Sequence, residues 1–180
     1  MTDAAADPVA RAASAVARAV SQLSLSEART ETLAELAPGR RVLGVTRAAR
    51  MTAIGRVWRL GVLLLDADGG VFATGRVVRA ERPARRSITA EAVAEQRALR
   101  AAAVKGGIPE GETVNFDATR VDFEALARDA ASGPLVLSSD GEGGLEVFVR
   151  WNPAQSDALI SLDRYLADRV GLLLHPPQGT

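Results

Sequence analysis

The stretch Ala53–Glu81, AIGRVWRLGVLLLDADGGVFATGRVVRAE, decides the fold. Two apolar runs rich in β-branched residues and leucine flank the segment DADGG, an arrangement typical of a β-hairpin. A two-residue turn at its Asp-Gly pair would place Val71 opposite Asp66 and would align the apolar residues of both arms on one face. Because Trp58 belongs to that face, the register predicts that Trp58 lies in the core.

Two helices are predicted before this hairpin. Residues 8–23 form the first, since apolar residues recur along it in steps of four and three as a single seam. That seam consists of Val9, Ala13, Val16, Val20 and Leu23. The segment SLSEARTETLAELAPG, residues 24–39, is predicted to be a second, shorter helix with Ser26 as its N-cap and the Pro-Gly pair as its end. A seam this short must pack on a sheet or on a second copy of the chain.

The rest of the chain alternates strand and helix signals. A helix is predicted over about 90–104, with Thr89 as N-cap and the Gly-Gly pair at 106–107 as its end. A strand follows in ETVNFDA, and Asp122 caps a helix in DFEALARDAA. GPLVLSS and GLEVFVRW are two strands joined by DGEGG, and the last helix begins at Ser156 or Asp157.

The predicted fold class is therefore α+β. It has a mixed, mainly antiparallel sheet, with a central β-hairpin (about 55–81) packed by helices and preceded by the N-terminal helical pair. The predicted division is an N-terminal helical segment, residues 1–39, and a single α+β domain, residues 40–180.

Composition excludes several kinds of site. The chain has no cysteine and one histidine, His175, so thiolate chemistry and histidine-rich metal clusters are excluded. We expect no metal and no cofactor. The N-terminus lacks the basic-then-apolar order of a secretory signal, and the apolar runs are too short to span a bilayer. These features predict a soluble, cytoplasmic protein with no membrane partner.

Charge is distributed unevenly along the chain. Residues 40–86 hold 11 basic and 3 acidic groups, a net of +8, in a chain whose formal net charge is zero. The basic run before the helix at 90 predicts a site for a small anionic ligand, because a helix N-terminus adds a favourable dipole there. That predicted site consists of Arg79, Arg82, Arg85 and Arg86. Nucleic acid is a disfavoured partner, because the hairpin arginines fall on both faces and only 4 % of residues are aromatic.

The hairpin followed by a Glu/Arg-containing helix resembles Nudix hydrolases in outline. Glu91 and Glu95 lie one turn apart and could share a cation, but the adjacent glutamates and the Arg-Glu pair of that family are absent. Acidic residues early and basic residues late in the helix are also what the helix dipole favours. The helix therefore reads as an ordinary helix with marked ends. DADGG and DGEGG likewise resemble partial calcium loops but lack the EF-hand spacing, and they are interpreted as hairpin turns.

A second resemblance covers roughly residues 41–179. It rests on GRVWRLGVLLL, ATGRVVRAE, RRSITAE, KGGIPEGETV, ASGPL and YLADRVGLLLHPP. These segments resemble a small family of uncharacterised actinobacterial proteins, some of which are labelled glutaminase. The resemblance implies amidohydrolase activity and names no catalytic residue. The chain has no cysteine and no Ser-x-x-Lys pair, which leaves a threonine nucleophile, for which the candidates are Thr46, Thr52, Thr74, Thr89, Thr113 and Thr119.

Three functional hypotheses follow from the sequence. The first is a non-catalytic binding or self-association module, a homo-oligomer formed through the N-terminal helices. The second is a hydrolase, either an amidohydrolase or a divergent diphosphate hydrolase. The third is nucleic-acid binding through residues 40–86.

Overall fold

The computed structural model describes residues 7–42, 45–82 and 91–177. Its helices are α1 (Pro8–Leu25), α2 (Glu91–Lys105), α3 (Phe123–Asp129) and α4 (Leu162–Leu174). Its strands are β1 (Glu31–Ala37), β2 (Arg40–Val42), β3 (Val45–Arg47), β4 (Arg50–Leu60), β5 (Leu63–Asp66), β6 (Val71–Ala73), β7 (Arg76–Arg79), β8 (Thr113–Phe116), β9 (Thr119–Arg120), β10 (Ala131–Ser132), β11 (Leu135–Ser139), β12 (Leu145–Arg150) and β13 (Leu159–Ser161).

The α+β class and the mixed, mostly antiparallel sheet are confirmed. Among the described residues, β1 pairs with β8 in parallel, and the other strand pairs whose register is defined are antiparallel. The chain divides into two compact units, each made of separated segments. Unit 1 holds residues 1–29, 58–73 and 119–180, and unit 2 holds residues 30–57 and 74–118. The predicted division at residue 39 stays a prediction.

In unit 2, four strands lie side by side in the order β7-β8-β1-β4 with α2 packed on them, and β2 pairs with β3 as a separate two-stranded sheet. Its core joins apolar residues of α2 to the facing side of these strands. The core contains Ala34, Met51, Val78, Ala80, Leu99, Ala102, Ala103, Ile108, Val114 and Phe116. At the end of α2, the backbone of Gly106 lies so close to the Met51 carbonyl that a Cβ atom on residue 106 would overlap it.

Unit 1 combines the end of β4 and the strands β5, β6 and β9 with a second sheet in the order β10-β11-β12-β13. Helices α1, α3 and α4 pack into the same core. Trp58 is buried there, as predicted, and its indole N–H donates to the Ala28 carbonyl over 3.1 Å. Asp122 caps α3 through its side chain, also as predicted, by accepting from the N–H groups of Glu124 and Ala125.

The predicted second N-terminal helix is wrong. Among the described residues, α1 is the one helix that precedes the strands, and residues 31–37 form β1, which pairs with both β4 and β8. The local sequence favours a helix, but pairing with two strands provides hydrogen bonds and packing that an isolated short helix lacks. The seam of α1 also differs, because the buried face carries Ala12, Ala15, Val16, Ala19 and Leu23.

The predicted strand pairing of the long hairpin, about residues 55–81, is also wrong. The chain turns back already at Gly61, which has φ +64°, so that β5 follows β4 directly, and β7 pairs with β8 instead of β4. The turn at DADGG does exist, but its loop has three residues instead of two, and among them only Gly69 has a positive φ. Val71 therefore pairs with Leu65 rather than with Asp66. A type I turn with a G1 bulge adds one residue and shifts the register by one.

The final helix begins later than predicted. Residues 159–161 form β13, which pairs with β12, and α4 starts at Leu162 with Ser161 as its N-cap. Among the described residues no helix combines the length and the apolar character that crossing a membrane requires.

The close approach at Gly106 yields a stability prediction. Gly106→Ala should lower the free energy of unfolding by about 3 kcal/mol, since the new methyl group overlaps backbone that cannot move freely. Gly55→Ala is the matched control in the same unit, because nothing lies within 4 Å of its Cβ position, and its cost should stay below about 0.5 kcal/mol. Urea unfolding of both variants measures the difference, and equal midpoints would contradict the packing described for α2.

Candidate functional site

Two of the four residues of the predicted anion site lie in the described part of the chain. Arg82 forms an ion pair with Glu110, its Nε 3.3 Å from the carboxylate, and its backbone N–H donates to the same side chain. The Arg79 guanidinium lies beside Gly111 in the same loop. Arg85 and Arg86 fall outside the described residues. An anion at this place would compete with Glu110, and the site stays a prediction.

Other arginines of the basic stretch also meet acidic side chains. Arg76 contacts Glu95 at 2.8 Å and Asp117 at 4.0 Å, and its guanidinium lies 5.2 Å from the centre of the Phe116 ring. Unit 2 as a whole carries 13 basic and 8 acidic residues, a net of +5, whereas unit 1 carries 9 and 14, a net of −5. Arg56, Arg76, Arg82 and Arg100 of unit 2 pair with carboxylates while their side chains stay between 44 % and 77 % exposed.

The Glu95 carboxylate accepts a hydrogen bond from Arg76 over 2.8 Å. Within residues 7–42, 45–82 and 91–177 no three His, Asp or Glu side chains come together as metal ligands. The side chain of Glu91 is outside the described part. The diphosphate-hydrolase hypothesis therefore gains no support from a gathered carboxylate set.

A polar cluster in unit 2 was not predicted. The Arg56 guanidinium donates to the Thr32 hydroxyl at 2.9 Å, to the Glu112 carboxylate at 2.9 Å, and to the side chain and carbonyl of Thr30. The Thr32 hydroxyl lies 3.4 Å from Glu112, and Thr32 is only 4 % exposed. Next to it, the buried Asn115 amide donates to Glu31 over 2.7 Å. The cluster satisfies polar groups within a sheet, and its threonine hydroxyl is closed to solvent.

The two acidic turns are built alike. In each, the first aspartate accepts hydrogen bonds from the N–H groups two and four residues later: Asp66 from Asp68 and Gly70, Asp140 from Glu142 and Gly144. A Cβ atom on the last glycine of either turn would overlap that carboxylate. The carboxylates therefore stabilise hairpin turns, in agreement with the sequence interpretation.

A partly apolar groove of unit 1 lies beside α4, and we call it the α4 groove. It encloses about 690 Å³. Its lining residues come from α4, from β13 and from the residue after β12, and they are Trp151, Ile160, Tyr165, Ala167, Asp168, Arg169, Gly171 and Leu172. Trp151 is 47 % exposed and Leu172 is 49 % exposed, so two large apolar side chains face solvent across one concavity. Exposed aromatic surface of this kind marks interaction sites.

The floor of the groove is held by Tyr165. Its hydroxyl donates to the Leu60 carbonyl at 2.8 Å and accepts from the Val62 N–H at 2.8 Å, which ties α4 to the turn at Gly61. The Arg169 guanidinium lies 5.3 Å from the centre of the Tyr165 ring. These bonds fix the orientation of α4 and hence which of its residues point outward.

The outward stripe of α4 combines opposite charges with an apolar residue. Arg164, Asp168 and Leu172 are exposed and follow one another at intervals of four, so they lie along one side of the helix. Among the described side chains neither Arg164 nor Asp168 has an ion partner. Gly171 lies within the helix, and a Cβ atom there would meet nothing within 4 Å.

Comparison with known proteins adds no assignment. No family model, no curated protein and no solved structure matches this chain. The α4 groove was not predicted from the sequence, because the exposure of Trp151 depends on how β12 ends against α4.

The turn at Asp140 yields a prediction on pH. Hydrogen bonds from the Glu142 and Gly144 N–H groups hold the pKa of the Asp140 carboxyl below its ordinary value of 3.8. The ionised carboxylate therefore stabilises the fold above its unfolded-state pKa, and this contribution is lost as the pH falls through the lower folded-state pKa.

Asp140→Asn should thus be less stable than the unaltered chain at neutral pH, with a difference that disappears in strong acid. Glu142→Gln is the control in the same turn, because its side chain makes no turn hydrogen bond among the described contacts. Urea unfolding at a series of pH values, with NMR titration of Asp140, measures both effects. A stability difference that is independent of pH would contradict the account.

Proposed function

We propose that this protein is a non-catalytic self-association module, and that the α4 groove receives a second copy of the chain. The observation that carries the proposal is the pair of exposed apolar side chains, Trp151 and Leu172, that line the same groove. A tryptophan in a concave surface is the residue type that most often contributes a large share of the binding free energy at protein interfaces.

Electrostatics favour a second copy as the occupant. The formal net charge of the chain is zero at neutral pH, so two copies do not repel each other as charged bodies. The stripe beside the groove holds one cation and one anion, Arg164 and Asp168, neither paired among the described residues. A surface with both signs is complementary to itself, whereas a strongly charged partner would leave one of the two unpaired.

The same proposal moves the association surface away from the N-terminus. The sequence suggested that the seam of α1 joins copies, but the buried face of α1 packs within unit 1 against α4 and β12. An apolar face that is already buried contributes nothing further to association. The groove on α4, by contrast, leaves Trp151 and Leu172 exposed.

An amidohydrolase is the second candidate, and it rests on the resemblance to the glutaminase-labelled family together with Thr32. That hydroxyl lies between a guanidinium and a carboxylate, the arrangement from which an activated nucleophile could be built. Thr32 is almost fully buried, however, and a substrate would reach it only after the sheet opens. Release of ammonia from glutamine by the purified chain, and its loss in Thr32→Val, would establish this function in place of the first.

Trp151→Ala tests the proposed function. Sedimentation of the unaltered chain should show a dimer that dissociates on dilution, and the variant should weaken this equilibrium about 1,000-fold, as expected for the loss of one tryptophan from each copy, each worth about 2 kcal/mol. Ile54→Ala is the matched control, since Ile54 is exposed to a similar degree on unit 2. A chain that stays monomeric at millimolar concentration, or equal weakening by the control, would refute the proposal.

A further inference from the structure

We propose that the two copies associate through α4 packed antiparallel against α4 of the partner, about a two-fold axis at the level of residue 166. This inference rests on the proposed function and specifies its geometry. An interface of this kind uses the same surface on both copies, so it closes after two chains and forms no fibre.

Gly171 is the first observation behind this geometry. Glycine inside a helix costs about 1 kcal/mol relative to alanine, so its presence there requires a reason. The chain itself supplies none among the described residues, because a Cβ atom at this position would meet open space. Ala167 is exposed one turn earlier, and both residues line the groove. Two small residues on one side of a helix allow a second helix to approach to an axial distance of about 8 Å.

The charge pattern is the second, independent observation. When two copies of the stripe run in opposite directions, Arg164 of each copy lies opposite Asp168 of the other. Both side chains, unpaired among the described residues of one copy, then gain an ion pair, and the pair forms twice by symmetry. A parallel arrangement would instead place each charge beside its own kind, which is destabilising.

The apolar residues complete the arrangement. In the antiparallel alignment Leu172 of each copy points toward the first turn of the partner helix. Ile160 lies just before that turn in the chain, and it lines the groove together with Trp151. The exposed leucine of one copy would therefore be buried against the exposed tryptophan of the other, which removes both from water.

A charge-exchange experiment tests the geometry. Arg164→Asp alone and Asp168→Arg alone should each weaken dimerisation about tenfold, because each places like charges opposite one another twice. An equimolar mixture of the two variants should form a heterodimer with affinity restored, since every facing pair is then opposite in sign. The double variant, Arg164→Asp with Asp168→Arg, should also dimerise normally. Sedimentation and native mass spectrometry measure all four.

Gly171→Leu provides a readout that does not involve charge. Leucine is a better helix former and meets no atom of its own chain within 4 Å at the Cβ position, so the fold should be retained while the dimer is lost. The possible failures are distinguishable. Loss of the dimer in Trp151→Ala with no effect of the charge and Gly171 variants would overturn the antiparallel geometry alone. A monomeric unaltered chain would overturn the proposed function as well.

Discussion

The Tyr165 hydroxyl is the contact on which the architecture of unit 1 depends. It donates to the Leu60 carbonyl and accepts from the Val62 N–H, so one side chain satisfies two backbone groups at the turn between β4 and β5. These hydrogen bonds require glycine at position 61, because that residue has a positive φ and because a Cβ atom added there would overlap the Tyr165 hydroxyl. Since buried backbone groups must find partners, the turn and the helix fix each other's positions. The direction in which α4 faces, and with it the groove, follows from this contact.

Unit 2 shows how acidic side chains accommodate a basic stretch of the sequence. Arg56, Arg76, Arg82 and Arg100 each meet a glutamate within 3.3 Å. These pairs are partly exposed, so each adds little stability, but together they occupy guanidinium groups that the sequence alone presents as available. The predicted anion site at Arg79 and Arg82 lies beside the loop that carries Glu110, the glutamate that pairs with Arg82. The balance of +5 in unit 2 and −5 in unit 1 arises from the sequence segments that each unit collects.

Local signals in the sequence predicted several elements correctly. The turns at Asp66 and Asp140 follow from an aspartate before paired glycines, and α3 begins at its predicted cap, because these features depend on a few neighbouring residues. The prediction failed for Glu31–Ala37, where helical propensity lost to pairing with β4 and β8. It failed again at Gly61, which was placed inside a strand although the distant Tyr165 makes it a turn. Both failures involve partners far away in the sequence.

The candidate surface was harder to predict than the fold. Trp151 and Leu172 look like core residues in a sequence, and only the way β12 ends against α4 leaves them exposed. The polar cluster around Arg56 was missed for a related reason, since Thr32 was assigned to a helix and its partners Arg56 and Glu112 come from other segments. The spacing of the α4 stripe can be recognised in the sequence. Whether the stripe is exposed, however, depends on which face of the helix packs inward.

Site-directed cross-linking tests the central claim, that α4 meets α4 of a second copy, most directly. The chain contains no cysteine, so Ala167→Cys introduces a single thiol near the proposed two-fold axis, and Ala127→Cys places one on the exposed side of α3 in the same unit. With a short bis-maleimide at low protein concentration, we expect covalent dimers of Ala167→Cys to form rapidly and those of Ala127→Cys only slowly. Equal rates for the two variants would contradict the claim.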